Sequence, residues 1–134
     1  MNDRKLVYVA RIPIRWGDMD PMGHVNNTVY FRFMEQARIE WYTELGRVNE
    51  QKLIEAVVVS AHCTFFRSLQ YPGTVEVRTY AGKPGRSSFE ITQEIRRTDD
   101  EETIYAAGGA RVVWVDPQKG ESVPLPEDIR SLMT

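Results

Sequence analysis

The chain is poor in the residues that most often hold metals or disulfides: it has one cysteine, Cys63, and two histidines, His24 and His62, in 134 residues. A single cysteine forms no intramolecular disulfide, which suits a reducing compartment. The histidines are far apart, with no HExxH pattern or cysteine pair beside them, so no metal site is expected. Basic charge is not in excess. A formal net charge of -2 argues against a general nucleic-acid binder, which would carry a basic face. No apolar run approaches the length of a membrane span. The opening "MNDRKLVYVARIPIRW" has neither a long apolar core nor a small-residue cleavage site, so no signal peptide is expected. GxSxG is missing, which removes support for an α/β-hydrolase serine mechanism, and no P-loop is found. These absences lead to the expectation of a cytoplasmic protein with no membrane and no nucleic acid among its partners.

What is present is an ordinary globular composition, 42% hydrophobic and 27% charged, in a length that suits one domain over residues 1–134. Residues 6–16 carry Leu6, Tyr8, Ala10, Ile12, Ile14 and Trp16 at alternate positions, the pattern of a strand with one buried face. Pro13 lacks an N–H and points to a sheet edge or a bulge. From 27 to 45 the period becomes helical. Tyr30, Phe33, Met34, Ala37, Trp41 and Leu45 form an apolar stripe, with Arg32, Glu35, Arg38 and Glu40 between them as a solvent face. Asn26 or Asn27 can cap the start, and Gly46 suits the position just past the end.

Strands follow. Residues 54–69 are apolar on both faces, which predicts a strand buried centrally in a sheet. Residues 74–82 come after the turn "YPG", and 86–97 place Phe89, Ile91, Gln93 and Ile95 on one face. "TDDEE" (98–102) reads as a polar hairpin loop, with 103–115 returning from it. "PLPEDIRSLMT" reads as a short C-terminal helix begun near Pro126. One long helix and five strands in this order predict an α+β domain, a single antiparallel sheet wrapped around the helix. Val58, Ala107, Gly109 and Val113 are apolar or small at outward positions, so subunits are expected to pack there.

The stretch "GDMDPMGHVNNTVYFRFMEQAR" joins the first strand to the helix. A carboxylate in the turn before a helix stands near N–H groups that have no partner within the helix, at the positive end of its dipole. Hydrolysis needs a nucleophile or base at a carbonyl carbon and donors for the developing oxyanion, and this turn can supply both. Each residue also has a plainer role. Asp18 and Asp20 are turn formers. His24 is either a general base or a hydrogen-bonding surface residue. Asn26 and Asn27 are helix caps, either of which can also orient a water or the carbonyl. His62, within an apolar strand, reads as a satisfied interior histidine, and Cys63 as a small buried hydrophobe.

The element order and this stretch together resemble the hotdog-fold acyl-CoA thioesterases, in particular the 4-hydroxybenzoyl-CoA thioesterase-like group. The resemblance covers nearly the whole chain and is carried by the Asp, the Gly-containing turn, the polar residues entering the helix and the "E-x-A-R" within it. It implies a hotdog fold and hydrolysis of an acyl-CoA to a free carboxylic acid and coenzyme A. No cofactor is implied, because coenzyme A is part of the substrate and product. Asp20 is then the reacting carboxylate, as nucleophile or general base, and N–H groups around Gly23 and Asn27 polarise the carbonyl. In the type enzyme an aromatic residue sits where this chain has Asn27. "GHVNN" is similar to the branch that hydrolyses fatty or broader acyl-CoA substrates. "GKPGRSSFEI" resembles the family's strand opening with a basic residue and "SSF". Lys83, Arg86, Ser87 and Ser88 can meet the phosphates of coenzyme A by charge and hydroxyl donors, and Arg67 and Arg111 are further basic candidates. The resemblance also implies a site formed between subunits of a homodimer or homotetramer. Two alternatives share these features: a thioesterase acting on acyl-carrier protein, and a non-catalytic acyl-CoA-binding protein of the same fold.

Overall fold

The computed structural model describes residues 4–48 and 55–134. In chain order it contains β1 (Lys5–Pro13), one turn of 3-10 helix (Trp16–Asp18), α1 (Asn27–Glu44), β2 (Ala56–Phe65), β3 (Thr74–Gly82), β4 (Ser88–Arg97), β5 (Ala106–Asp116), β6 (Glu121–Ser122) and α2 (Glu127–Ser131). The five long strands form one antiparallel sheet in the order β1-β3-β4-β5-β2. The two-residue β6 pairs with β5, a sixth strand beyond the five expected. Its hairpin is made by Asp116, whose Oδ1 accepts the Gln118 N–H at 2.9 Å, and by Gly120 at φ +70.

Helix α1 begins where Asn26 Oδ1 accepts the Thr28 N–H at 2.9 Å. It ends before Gly46, which takes φ +74, the left-handed conformation that glycine adopts at no steric cost. The stripe Tyr30, Phe33, Met34, Ala37 and Trp41 is buried, and α1 packs on β1, β3 and β2. Under it lie Val75, Val77 and Ala81 of β3, Phe89, Ile91 and Ile95 of β4, and Ala106, Ala110, Val112 and Trp114 of β5. Ile129 of α2 and Met133 beyond it close the Trp41–Trp114 end of this core. The one-face arrangement of β4 places Gln93 inside as well. Its amide is satisfied there, donating to Met34 O at 3.0 Å and Thr79 Oγ1 at 3.1 Å. Among the described residues, no helix is long and apolar enough to cross a membrane.

Several expectations are corrected. Strand β2, predicted to be central, is an edge strand and largely exposed, with Val57, Val58 and Val59 at 43%, 38% and 55% exposure. Its apolar character on both faces suggested a sheet interior, yet a single chain supplies a neighbour, β5, on one side only. Ile54, the first residue of that predicted strand, lies outside the described residues. His62 is exposed rather than interior, for the same reason. Cys63 is half-buried against the core, and burial pushes its thiol up to about 11.

Register shifts explain two more corrections. The shift between Leu6 and Tyr8 pairs Leu6 with Tyr80 and leaves it exposed. That between Val58 and Ser60 pairs Val58 with buried Val112, so Val58 faces the helix side, while Ala107, Gly109 and Val113 remain on the outer face. Trp16 lies beyond the end of β1 in the 3-10 turn and is exposed. Arg38, expected on the solvent face, is half-buried and reaches Gln93 Oε1 at 3.5 Å. The outer face of β1, β3 and β4 carries a charge lattice. Arg11 and Arg78 meet Glu76, and Arg4 and Arg96 meet Glu94, at 2.7–3.3 Å.

Gly108 sets how closely β2 can approach β5. A Cβ there would stand 2.1 Å from the His62 carbonyl oxygen and 2.9 Å from Cys63 Cα. Both are backbone atoms that cannot rotate away. Gly108→Ala is therefore expected to cost about 1–3 kcal/mol of stability, the usual range for forced overpacking. A urea midpoint equal to that of the parent would contradict this reading.

Candidate active site

Between β1 and α1 the chain makes two turns, each organised by an aspartate. Asp18 is 6% exposed. Its Oδ2 accepts the Arg15 N–H at 2.8 Å, its Oδ1 accepts the Arg15 guanidinium at 3.3 Å, and its carbonyl accepts the Asn26 N–H at 2.9 Å. Both carboxylate oxygens hold the loop in shape, the architectural role expected of this residue.

Asp20 organises the second turn with one oxygen. Oδ1 accepts the Met22 N–H at 2.9 Å and the His24 N–H at 3.2 Å, while the Asp20 N–H donates to the His24 carbonyl at 2.7 Å. Gly23, at φ +79, donates its N–H to the Asp20 carbonyl at 3.0 Å. Oδ2 has no hydrogen bond among the described residues.

The turn is fastened to its surroundings from both sides. Val25 N–H donates to the Leu69 carbonyl at 2.8 Å, and Leu69 N–H donates to Tyr30 Oη at 3.1 Å. Tyr30 O–H in turn donates to the Arg67 carbonyl at 3.4 Å, and its ring stands edge-on to Phe65 with centroids 4.9 Å apart. Burial pushes the Tyr30 phenol above its ordinary 10.0, although the Leu69 N–H pulls the other way. The Asp20 turn, the first turn of α1 and the segment after β2 are thus one connected piece.

Two concavities meet at Asp20. The smaller, about 180 Å³, is lined by Asp20, His24, Val25, Asn27, Tyr30, Phe65, Phe66, Arg67 and Ser68. The larger, about 590 Å³, is lined by Trp16, Gly17, Met19, Asp20, Pro21, Gly23 and Tyr71. Asp20, His24 and Asn27 therefore share one pocket, and Gly23 borders the other. Asn26 is an exposed cap whose side chain is occupied by Thr28. Of the two N–H groups expected to polarise a carbonyl, that of Gly23 is bonded within the turn. The Asn27 N–H, at the first position of α1, has no hydrogen bond among the described residues.

The residues expected to bind coenzyme A stand elsewhere. Lys83 is exposed and pairs with Glu90 at 3.5 Å, and Ser88 Oγ accepts from Arg111 Nη2 at 3.3 Å. The Ser87 carbonyl accepts the Trp114 N–H at 2.7 Å, and the Arg86 carbonyl accepts the Leu125 N–H at 2.9 Å. All four lie on the β3–β4 connection and at the start of β4. The Asp20 pocket is at the other end of the sheet, where Phe65 pairs with Ala106 and Ala106 with Ile95. At roughly 3.3 Å per residue, Ser88 to Ile95 is about 23 Å. Within one chain, the only sequence-nominated basic residue lining the pocket, among the described residues, is Arg67.

Sequence reasoning missed Trp16, Tyr30, Phe65, Phe66 and Tyr71 as site residues. By its spacing Tyr30 belongs to the core stripe, Trp16 to a strand alternation and Tyr71 to a turn. An aromatic residue beside Gly17 and the aspartate pair, or before Pro72 and Gly73, was the available signal. Among the described residues, no group of three or more His, Cys, Asp or Glu is arranged to hold a metal ion.

Residues 14–132 match the family model of the thioesterase-like superfamily. The PA2801 protein of Pseudomonas aeruginosa, a candidate thioesterase, superposes with a TM-score of 0.92 at 37% identity, covering 97% of this chain and 100% of its own. XC229 of Xanthomonas campestris, a candidate acyl-CoA thioesterase, gives 0.81 at 32% identity over 90% of this chain and 100% of its own. A thioesterase from Thermus thermophilus, solved with coenzyme A and Zn, gives 0.80 at 29% identity over 96% of this chain and 92% of its own. With nearly its whole length matched, the hotdog chain described above belongs to the thioesterase-like superfamily.

Proposed function

We propose that this protein hydrolyses acyl-CoA thioesters to a carboxylic acid and coenzyme A, with Asp20 as the reacting carboxylate. One observation carries the reading: Asp20 lines the same small pocket as Asn27, and among the described residues neither Asp20 Oδ2 nor the Asn27 N–H that opens α1 has a hydrogen-bond partner. The thioester carbonyl oxygen accepts from the Asn27 N–H, where the dipole of an 18-residue helix favours developing negative charge. Asp20 Oδ2 attacks the carbonyl carbon and expels the coenzyme A thiolate, leaving a mixed anhydride that water hydrolyses to the acid and the free carboxylate. Alternatively, Asp20 Oδ2 takes a proton from a water that attacks, and the C–S bond then breaks to release the thiolate, which takes up that proton. Its other oxygen is pinned by two N–H groups, so the carboxylate keeps its orientation through the reaction. His24 and the Asn27 side chain line the same pocket and orient the water or the carbonyl. Coenzyme A enters as part of the substrate, no resident cofactor is proposed, and the single cysteine suits a cytoplasmic setting.

The working unit is a homo-oligomer. Strand β2 presents an open edge flanked by Val57, Val58 and Val59 at one end and Phe65 and Phe66 at the other, all 38–58% exposed. An apolar edge of this kind is a template for another strand. Two copies related by a two-fold axis pair identical edges antiparallel. The Ala56 end of one β2 then lies beside the Phe65 end of the other. Since Ser88 aligns with Val113 and Val113 with Val57, the partner copy brings its β4 start to the end of the sheet that carries Asp20. This accounts for the separation of Lys83, Arg86, Ser87 and Ser88 from Asp20 within one chain: they bind the coenzyme A phosphates across the subunit boundary.

Three outcomes test this. Asp20→Asn should lower kcat on acyl-CoA by about a hundredfold or more, the scale of a lost base, with thermal stability kept; turnover near that of the parent would remove Asp20 from the mechanism. Lys83→Ala or Arg86→Ala should raise KM and leave kcat near the parent value, since both touch the unreacting part of the substrate. Val59→Asp, a charge on the open edge, should turn the oligomer into an inactive monomer by light scattering. An active monomer would refute the shared site.

A further inference from the structure

We propose that the larger concavity beside Asp20, walled by Trp16, Met19, Pro21 and Tyr71, receives the acyl group of the substrate and selects apolar acyl groups longer than acetyl. This rests on the thioesterase reading above. A thioester has two arms, and both diverge from the carbonyl. Asp20 lines both concavities, so a carbonyl held at Asp20 sends one arm toward each.

Size and chemistry assign the arms. The smaller pocket, about 180 Å³, has the volume of about six liquid waters at ~30 Å³ each. That is room for the carbonyl, the attacking water and the first atoms of one arm. Arg67, Ser68 and Asn27 make its walls polar, which suits the amide-rich pantetheine. The larger, at about 590 Å³, is within the ordinary range of small-molecule sites, ~300–1,000 Å³. Its side chains, Asp20 apart, are apolar or aromatic.

Trp16 is 76% exposed and Tyr71 46%, an unusual amount of aromatic surface to leave open at one place. These walls are held rather than loose. The Tyr71 N–H donates to Met19 Sδ at 3.4 Å, and Met19 bridges to Val25. Arg97 donates to the carbonyls of Gln70 at 3.0 Å and Pro72 at 2.9 Å, pinning the turn on both sides of Tyr71. A cavity preformed by the protein's own hydrogen bonds is a binding site rather than a gap between mobile loops.

Gly17 offers a way to fill it. A Cβ there meets nothing within 4 Å, and the backbone is not in the left-handed region, unlike Gly23 at φ +79. Gly17→Leu adds bulk at the wall of the concavity, at a position where a Cβ meets open space, whereas Trp16→Ala removes one wall whose exposure makes it dispensable for folding. Parent and variants are assayed with acetyl-, octanoyl- and benzoyl-CoA. In both variants the ratio of kcat/KM for octanoyl- or benzoyl-CoA to that for acetyl-CoA should fall about tenfold or more, the discrimination expected when apolar contacts with several carbons are lost. A larger fall for benzoyl identifies ring stacking on the indole, and a larger fall for octanoyl an extended chain. Unchanged ratios in Trp16→Ala, with the parent active, overturn the assignment. So does a change of oligomeric mass in Trp16→Ala with unchanged ratios, which makes the patch a subunit contact. A parent inactive on every thioester ends the thioesterase reading and this one with it.

Discussion

The stripe Tyr30, Phe33, Met34, Ala37 and Trp41 is the only long helical apolar surface in the described chain, and the inner sheet face is where it can be buried. That pairing determines where the N-terminus of α1 must lie. With Phe33 and Met34 packed on Val75, Val77 and Ile95, the first turn of the helix stands at the end of the sheet where β2 finishes. The turn carrying Asp20 immediately precedes that helix, so it is delivered to the same place. Tyr30 is the joint between the two requirements. Its ring belongs to the core, and its hydroxyl bonds the backbone of the 67–69 segment that walls the pocket. Core packing and site geometry are therefore not separable here.

Several buried polar side chains of this fold have partners, although the buried Tyr42 hydroxyl has none among the described residues. Gln93 lies under α1 with its amide nitrogen donating to two acceptors, and Glu76 and Glu94 meet arginines on the outer face. For both glutamates burial favours the neutral acid, but hydrogen bonds and charge from Arg78 and Arg96 outweigh it and keep the carboxyls below the ordinary 4.5. That lattice gives the outer face of β3 and β4 a polar character which an apolar subunit contact would have to desolvate. Exposed Val57, Val58, Val59, Phe65 and Phe66 lie instead along β2 and just past its end, at the other side of the sheet. The chain thus separates a charged face from an apolar edge.

Much of the fold was legible along the chain because it rests on local periodicity. The helix boundaries, 27–45 expected and Asn27–Glu44 found, follow from the Asn26 cap and Gly46, each a local backbone requirement. Strand 74–82 was read to the residue, since alternation and the preceding "YPG" mark both ends. For β2 the apolar pattern predicts a strand but not its place in the sheet, because apolar residues on both faces say only that something will cover them. Another strand of the same chain and a strand of another copy have the same chemistry. His62 was misjudged with it. Leu6 was missed because a bulge reverses the facing of every residue beyond it, and no local signal announced the bulge.

The site divides along the same line. The sequence by itself determined that a turn with two aspartates, a flexible glycine and a capping asparagine would open a long helix, since each is a property of one residue and its near neighbours. It also determined the superfamily, through a pattern spread over residues 14–132. Which aspartate keeps an oxygen free, which N–H is left over, and that Tyr30, Phe65, Trp16 and Tyr71 gather around one carboxylate were decided only by the tertiary structure. Hydrogen bonds such as Leu69 to Tyr30 and contacts such as Tyr71 to Met19 join residues 39 and 52 positions apart. Nothing in local propensity encodes such pairings, because they exist only once the helix has settled on the sheet.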